Sequence, residues 1–190
     1  AERSGVSMVA VHGRTRDMLY KGTAEYRTIA KIKRSVSIPV VANGDIDSPE
    51  KAAWVLARTR ADGLMLGRAA QGRPWLFRQI RDYLETGRYS EPEAESRRAT
   101  ILRHIGEIHR FYGEHAGVRI ARKHLRWYAQ NCGVASELRN ELVREPSARR
   151  QLELAGRYFE SLGSSAGSSD ASIASIQCRT GTSVPVARCI

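Results

Sequence analysis

The chain has 190 residues, of which 42% are hydrophobic and 27% are charged, a balance that supports a globular core and excludes wholesale disorder. Its 31 lysines and arginines outnumber 20 aspartates and glutamates, for a net charge of +11, so we expect a polyanionic partner, nucleic acid before a membrane surface. No apolar run approaches the roughly 18 residues of a membrane-spanning helix. The three cysteines, an odd number, indicate no disulfide framework and predict a cytoplasmic protein.

Three short apolar runs predict buried strands, at residues 6–11, 38–42 and 63–66. Each run is nearly continuous rather than alternating, which is typical of strands buried on both faces of a parallel sheet. Each run is followed by glycine and polar residues, where a turn is expected.

A helical pattern follows each predicted strand. The first lies near residues 24–35. The second begins at Pro49 with Ser48 as its N-cap, and the third begins at Pro74 and stops at Gly87. The order β, α, β, α, β, α predicts an α/β protein with a parallel sheet. Three βα units are too few to close a barrel, so we expect the C-terminal portion of a longer protein.

The pattern becomes wholly helical after a polar connector near residue 90. Ile101, Ile105, Ile108 and Tyr112 predict one apolar helix face. Further helices are predicted over 119–131 and about 147–162. The serine- and glycine-rich stretch over 163–190 predicts a disordered tail.

Two glycine motifs directly follow predicted strands. They are Asn43-Gly44-Asp45 and Gly67-Arg68. Glycine lets backbone N–H groups approach an anion closely, and an arginine adds a charge-assisted contact to a phosphate. The alternative is a pair of ordinary βα turns without a ligand.

His12 ends the first predicted strand and therefore lies on the same edge of the sheet. It could hydrogen-bond a cofactor, or it could be structural. Arg14 and Arg16 follow in a loop, where they could contact RNA phosphates or be solvated.

Four basic residues share one face of the helix predicted over 119–131. Arg119, Arg122, Lys123 and Arg126, hereafter the basic face, have the offsets 0, 3, 4 and 7. Four like charges repel one another, so the pattern favours contact with a nucleic-acid backbone over a plain solvated face. The histidines of this region lack metal-ligand spacing, so no metal site is predicted.

The motifs VHGRTR, IPVVANGDI, ADGLMLGRAAQGRPWLF and GVRIARKHLRWY occur in this order. Together they resemble those of the bacterial tRNA-dihydrouridine synthases, especially the B-type branch, over about residues 4–162. The resemblance implies that residues 1–90 are the last three βα units of an FMN-binding (β/α)₈ TIM barrel. It implies that residues 97–162 form a helical tRNA-binding domain.

The resemblance also implies the chemistry, which is reduction of uridine in tRNA to 5,6-dihydrouridine with FMN as cofactor and NADPH as reductant. In the family a hydride passes from the flavin to C6 of uracil and a cysteine protonates C5. That cysteine belongs to the family's N-terminal half, so no catalytic residue is assigned here, and the chain alone is expected to be inactive.

The resemblance assigns FMN contacts to His12, Asn43, Gly44, Asp45, Gly67 and Arg68. RNA contacts are expected at Arg14, Arg16, Arg119, Arg122, Lys123 and Arg126. Two alternatives stay open: another FMN-dependent TIM-barrel oxidoreductase acting on a small molecule, or a non-catalytic tRNA-binding or RNA-binding remnant. The oligomeric state and the uridine that is modified also stay open.

Overall fold

A computed structural model of the chain describes residues 1–19 and 21–164. The tail predicted over 163–190 lies, from residue 165 onward, outside the described residues. One compact unit comprises residues 1–70 and 74–90, and a second comprises residues 71–73 and the described chain from residue 91 onward. The two units are described separately.

The first unit contains the predicted parallel sheet. Its strands are β1 (Val9–His12), β2 (Val40–Asn43) and β3 (Gly63–Met65), in the order β1-β2-β3. Both pairings are parallel. The α/β character predicted from the sequence is therefore confirmed, while closure into a barrel stays a prediction.

The first strand begins three residues later than predicted. Residues Glu2–Ser4 form a 3₁₀ turn that ends at Gly5 in the left-handed region, and the amide of Val6 bonds back to the carbonyl of Ala1 (3.3 Å). The N–H of Val6 is thus used by this turn and cannot join the sheet ladder. Burial on both faces holds for β2 but not for β1, whose residues alternate between partly buried and exposed.

The unit contains three helices, α1 (Arg27–Ser35), α2 (Pro49–Thr59) and α3 (Leu76–Thr86). The first two pack against the sheet, and α3 packs against α2. The predicted cap and stop are confirmed, because the Ser48 hydroxyl accepts the amide of Lys51 (3.1 Å) and Gly87 ends α3 at φ 74°. The core consists of apolar side chains from all six elements. Its fully buried members include Ile29, Val40, Ala42, Ala52, Val55, Leu64, Leu76 and Ile80.

The first helix also begins later than predicted, at Arg27 rather than near residue 24. The amide of Ala24 donates to the carboxylate of Asp45 (2.8 Å). The amide of Glu25 donates to the carbonyl of Gly13 (2.8 Å). Both residues are therefore held in the loop by long-range hydrogen bonds that a helical pattern does not reveal.

The second unit is helical: α4 (Ala94–Asn131), α5 (Ser136–Arg144) and α6 (Ala148–Ser164). α4 is broken at Gly113, whose φ of 72° and ψ of 173° lie in a region that essentially only glycine adopts. Two helical arms therefore meet at this residue. The break corrects one prediction, since Tyr112 is 51% exposed while Ile101 and Ile105 are fully buried.

The two arms of α4 pack against each other in antiparallel fashion. Gly117 lies against Ile108 and His109 near the break, and farther along His104 contacts His124 and Tyr128. Apolar side chains from all three helices complete the core of this unit. They include Ile101, Ile105, Leu125, Ala129, Leu142, Leu154, Ala155 and Phe159. Within the described part of the chain, no helix is long and apolar enough to cross a membrane.

Candidate functional site

The carboxyl ends of the three strands lie side by side. His12 pairs in register with Asn43, and Asn43 pairs with Met65. The Asn43 side-chain amide donates to the carbonyl of Met65 (2.7 Å), which ties the ends of β2 and β3 together. The structure thus brings His12 and the Asn43-Gly44-Asp45 segment to one edge, called here the strand-end rim, where parallel α/β sheets commonly place ligand sites.

The turn after β2 has a conformation that demands glycine. Gly44 has φ +125°, and a Cβ at this position would lie 2.8 Å from the Cβ of Ala24. The Tyr26 hydroxyl donates to the Gly44 carbonyl (2.7 Å) from a buried position. Asp45 follows at φ +48°, which is unusual for a residue other than glycine. Packing and hydrogen bonds within the chain therefore account for this glycine and hold the turn.

Asp45 forms a two-point ion pair with Arg14. The two guanidinium nitrogens of Arg14 donate to Asp45 Oδ1 and Oδ2 at 2.8 and 2.6 Å, and the Arg14 side chain is only 3% exposed. Arg14 also donates to the carbonyls of Gly22 (2.7 Å) and Lys21 (3.3 Å). The hydrogen bonds from Arg14 hold the pKa of Asp45 below its usual range, so this carboxylate stays ionised at neutral pH.

Gly67 and Arg68 lie at the end of β3, and Arg68 begins a 3₁₀ turn through Ala70. In contrast to Gly44, a Cβ on Gly67 would meet no atom of residues 1–19 and 21–164 within 4 Å. The Arg68 side chain is 56% exposed, and its Nη2 lies 3.5 Å from Asp45 Oδ1. Gly67 therefore borders open space, with an exposed guanidinium group next to it in sequence.

The structure separates the two loop arginines that the sequence suggested as RNA contacts. Arg14 is enclosed by the ion pair with Asp45, whereas Arg16 is exposed. Tyr26, which lies within the helical pattern predicted near residues 24–35, anchors the Gly44 turn. No local signal identifies that role, because the partner lies 18 residues away in the sequence.

The basic face lies on the second arm of α4. Arg119, Lys123 and Arg126 are exposed, and Arg122 is partly buried. The Nε of Arg122 has no hydrogen-bond partner among the described residues. Three of the four predicted cationic side chains are thus accessible on the surface of the second unit.

A cluster of rings adjoins the basic face. The His104 Nδ1 lies 2.9 Å from the Tyr128 hydroxyl, and the rings of His104 and His124 meet edge to face with centroids 4.8 Å apart. Burial lowers the pKa of His124 to about 4, assisted by the nearby His104 and Lys123. Burial also lowers the pKa of His104. In the described part of the chain no group of acidic, histidine or cysteine residues could hold a metal ion.

The loop of residues 71–73 packs on the end of the same helical arm. A Cβ on Gly72 would collide with the backbone carbonyl of Trp127. The Asn131 side-chain amide donates to the carbonyls of Gln71 and Trp127, both at 3.0 Å. Cys132 follows directly after α4, and burial raises the pKa of its thiol. No local sequence pattern predicts the packing of this loop.

Comparison with known proteins decides the family. A family model described as dihydrouridine synthase matches residues 1–161. The chain belongs to the dihydrouridine synthase family. This confirms the resemblance on which the sequence-based assignment depended.

Similar dihydrouridine synthases come from several bacteria, and each carries the name tRNA-dihydrouridine synthase B. The protein from Xanthomonas campestris is 51% identical over 163 residues, which cover 85% of this chain and 49% of that protein. The protein from Pseudomonas aeruginosa is 52% identical over 163 residues, covering 84% and 48%. The protein from Pseudomonas syringae is 57% identical over 141 residues, covering 73% and 42%. The chain spans about half the length of the curated relatives it matches.

Proposed function

We propose that this chain is part of an enzyme that reduces uridine in tRNA to 5,6-dihydrouridine, with FMN as the cofactor and NADPH as the reductant. Family membership over residues 1–161 supports the reaction class, and the names of the relatives support tRNA as the substrate. The observation that carries the cofactor proposal is the open space at Gly67, beside the exposed Arg68 and on the strand-end rim.

The residues present fit a phosphate-bearing cofactor. Gly44 is explained by its own packing, whereas a Cβ on Gly67 would meet no atom of the described residues within 4 Å. A phosphate approaching the backbone there would be excluded by a Cβ, and Arg68 could add a charge-assisted contact to it. The common phosphate site of TIM barrels lies in the loops after the seventh and eighth strands, which agrees with the proposed place of these units in a barrel.

The bound FMN would supply the hydride-transfer chemistry, while the protein positions it. In this proposal the backbone of Gly67 and the side chain of Arg68 hold the phosphate. His12 and Asn43 contact the cofactor from the neighbouring strand ends. No residue of this chain is assigned the proton transfer to C5.

The basic face would contact the tRNA backbone. Residues 97–160 contain 13 lysines and arginines but only 7 aspartates and glutamates. Arg119, Lys123 and Arg126 project into solvent, where phosphate neutralisation would give salt-dependent binding. A target base must leave its stack to reach a flavin, so recognition through shape and phosphates suits this substrate.

Flavin titration tests the cofactor part of the proposal. FMN fluorescence is measured against increasing concentrations of the chain and of its Arg68→Gln variant. We expect saturable quenching by the chain and at least about tenfold weaker binding by the variant, since a charge-assisted contact is lost. Binding of tRNA without any binding of FMN would instead favour a non-catalytic RNA-binding protein.

Dihydrouridine formation tests the reaction. The chain is incubated with FMN, NADPH and unmodified tRNA, alone and joined to the N-terminal half of the Pseudomonas aeruginosa relative. We expect dihydrouridine only from the joined protein, because the family's cysteine lies in that half. A joined protein that binds FMN and tRNA but forms no dihydrouridine would contradict the proposed reaction.

A further inference from the structure

Arg14 and Arg68 both contact the carboxylate of Asp45, but the contact with Arg14 is closer and more buried. Arg14 makes two contacts with Asp45, at 2.8 and 2.6 Å, and is 3% exposed. Arg68 approaches the same carboxylate with Nη2 at 3.5 Å from Oδ1, and its side chain is 56% exposed. Asp45 is therefore held mainly by the buried arginine, and only weakly by the exposed one.

We propose that Arg14 is a positioning residue, the buried counter-ion that keeps Asp45 from neutralising Arg68, so that the charge of Arg68 serves an incoming phosphate. This inference rests on the proposed binding of FMN at Gly67 and Arg68. It gives Arg14 a role at the cofactor site rather than the RNA contact expected from the sequence.

The surroundings of Arg14 fix it in this role. Besides the ion pair, its guanidinium donates to the carbonyls of Lys21 and Gly22. Asp45 is held from a further direction by the amide of Ala24 (2.8 Å). Planar, two-point pairing of this kind is specific to arginine, and a lysine would not reproduce it.

The charge balance explains why the buried pair matters for the exposed residue. The charges of Arg14, Arg68 and Asp45 sum to one net positive charge. Without Arg14, the charges of Asp45 and Arg68 would cancel. Asp45 would then interact with Arg68 without a competing arginine. Arg68 would then attract a phosphate less strongly, although its own side chain is unchanged.

Comparison of FMN with riboflavin, which lacks the phosphate, tests this role. We expect Arg14→Gln to lower FMN affinity about tenfold relative to riboflavin affinity, the size of one charged contact. A merely structural role would weaken both flavins equally. The double variant Arg14→Gln/Asp45→Asn should recover most of the preference for FMN, because the competing carboxylate is gone. Arg27→Gln removes a charge from an exposed position on α1 and should leave the preference unchanged.

Two outcomes of this titration would overturn the inference. One is an unchanged ratio of FMN to riboflavin affinity in Arg14→Gln, and the other is no recovery in a folded double variant. Failure of the unaltered chain to bind FMN would instead contradict the proposed function. The role of Arg14 as counter-ion of Asp45 is then tested by a measurement that needs no flavin.

Carboxyl NMR titration of Asp45 tests, in the absence of flavin, whether Arg14 shields Arg68 from this carboxylate. The quantity measured is the change in the Asp45 pKa caused by Arg68→Gln, in the presence and in the absence of Arg14. We expect a larger change in the Arg14→Gln background, since Arg68 then becomes the main partner of the carboxylate. Equal changes in both backgrounds would show that Arg14 does not shield Arg68 from Asp45, and would overturn the inference.

Discussion

Gly117 lies so close to His109 that a Cβ on the glycine would come within 2.9 Å of the His109 Cα. The carbonyl of Ile108 would be 3.1 Å away. The two arms of α4 therefore touch through backbone atoms near the break at Gly113, and no side chain fits between them. This contact sets the separation of the arms in the unit that carries the basic face.

Gly117→Ala should destabilise the helical unit. The added methyl group must push the two arms apart, and overpacking of this kind costs about 1–3 kcal/mol. Urea unfolding followed by circular dichroism measures the change. Gly106→Ala is the matched control, because the same residue is introduced in the first arm, where a Cβ meets no described residue within 4 Å.

The control should stabilise the protein, since alanine is favoured over glycine in a helix interior by about 0.5–1 kcal/mol. Equal effects of the two substitutions would show that the arms are not in backbone contact at Gly117.

The stability of the helical unit should fall between pH 6.5 and pH 4 through His124. Its folded-state pKa is lowered to about 4 by burial, with contributions from His104 and Lys123. In this pH range the unfolded chain binds a proton at the imidazole but the folded chain does not, so acidification favours unfolding. Above pH 6.5 the imidazole of His124 is neutral in both the folded and the unfolded chain, so it causes no loss of stability.

Urea midpoints at pH 7 and pH 4.5 measure this loss. Other groups also titrate in the interval, so the comparison is with His124→Gln, which cannot be protonated there. We expect a smaller loss of stability on acidification in the variant. Identical pH dependence in the two proteins would mean that the imidazole of His124 is protonated as readily in the folded state as in the unfolded one.

Removal of charge from the basic face should weaken tRNA binding and its dependence on salt. In Arg119→Gln/Lys123→Gln/Arg126→Gln, three phosphate contacts would be lost, which lowers the slope of log affinity against log salt by about 2. The charge-matched control is Arg81→Gln/Arg110→Gln/Arg149→Gln. Each of these exposed arginines pairs with a neighbouring carboxylate, so little change is expected. Equal effects of both triple variants would show that only net charge matters.

Sequence patterns predicted the local elements well because the relevant signals are local. The continuous apolar run at Val40–Ala42 lies in a buried strand, and the Ser48 cap and the Gly87 stop lie where helix chemistry places them. The parallel order of the strands was enough to place His12 beside Asn43 on one rim. The roles of these rim residues in binding FMN stay predictions.

Features that depend on distant partners were not predictable from local patterns. Arg14 was expected to contact RNA, and no local pattern shows its ion pair because the partner, Asp45, is 31 residues away. Tyr112 matched the apolar spacing of Ile101, Ile105 and Ile108, but the backbone of Gly113 breaks the helix directly after it. Periodicity assumes a continuous helix, and one residue outside helical geometry invalidates it for the positions nearby.

FMN binding by Gly67→Val, measured together with the free energy of unfolding, tests the phosphate site at Gly67 and Arg68. A Cβ at residue 67 meets no atom within 4 Å in the part of the chain that the structure describes, so the free energy of unfolding should change by less than about 0.5 kcal/mol. FMN affinity should fall at least about tenfold, because the side chain would occupy the space proposed for the phosphate. Unchanged FMN affinity in a variant of unchanged stability would show that the phosphate does not bind at Gly67 and Arg68.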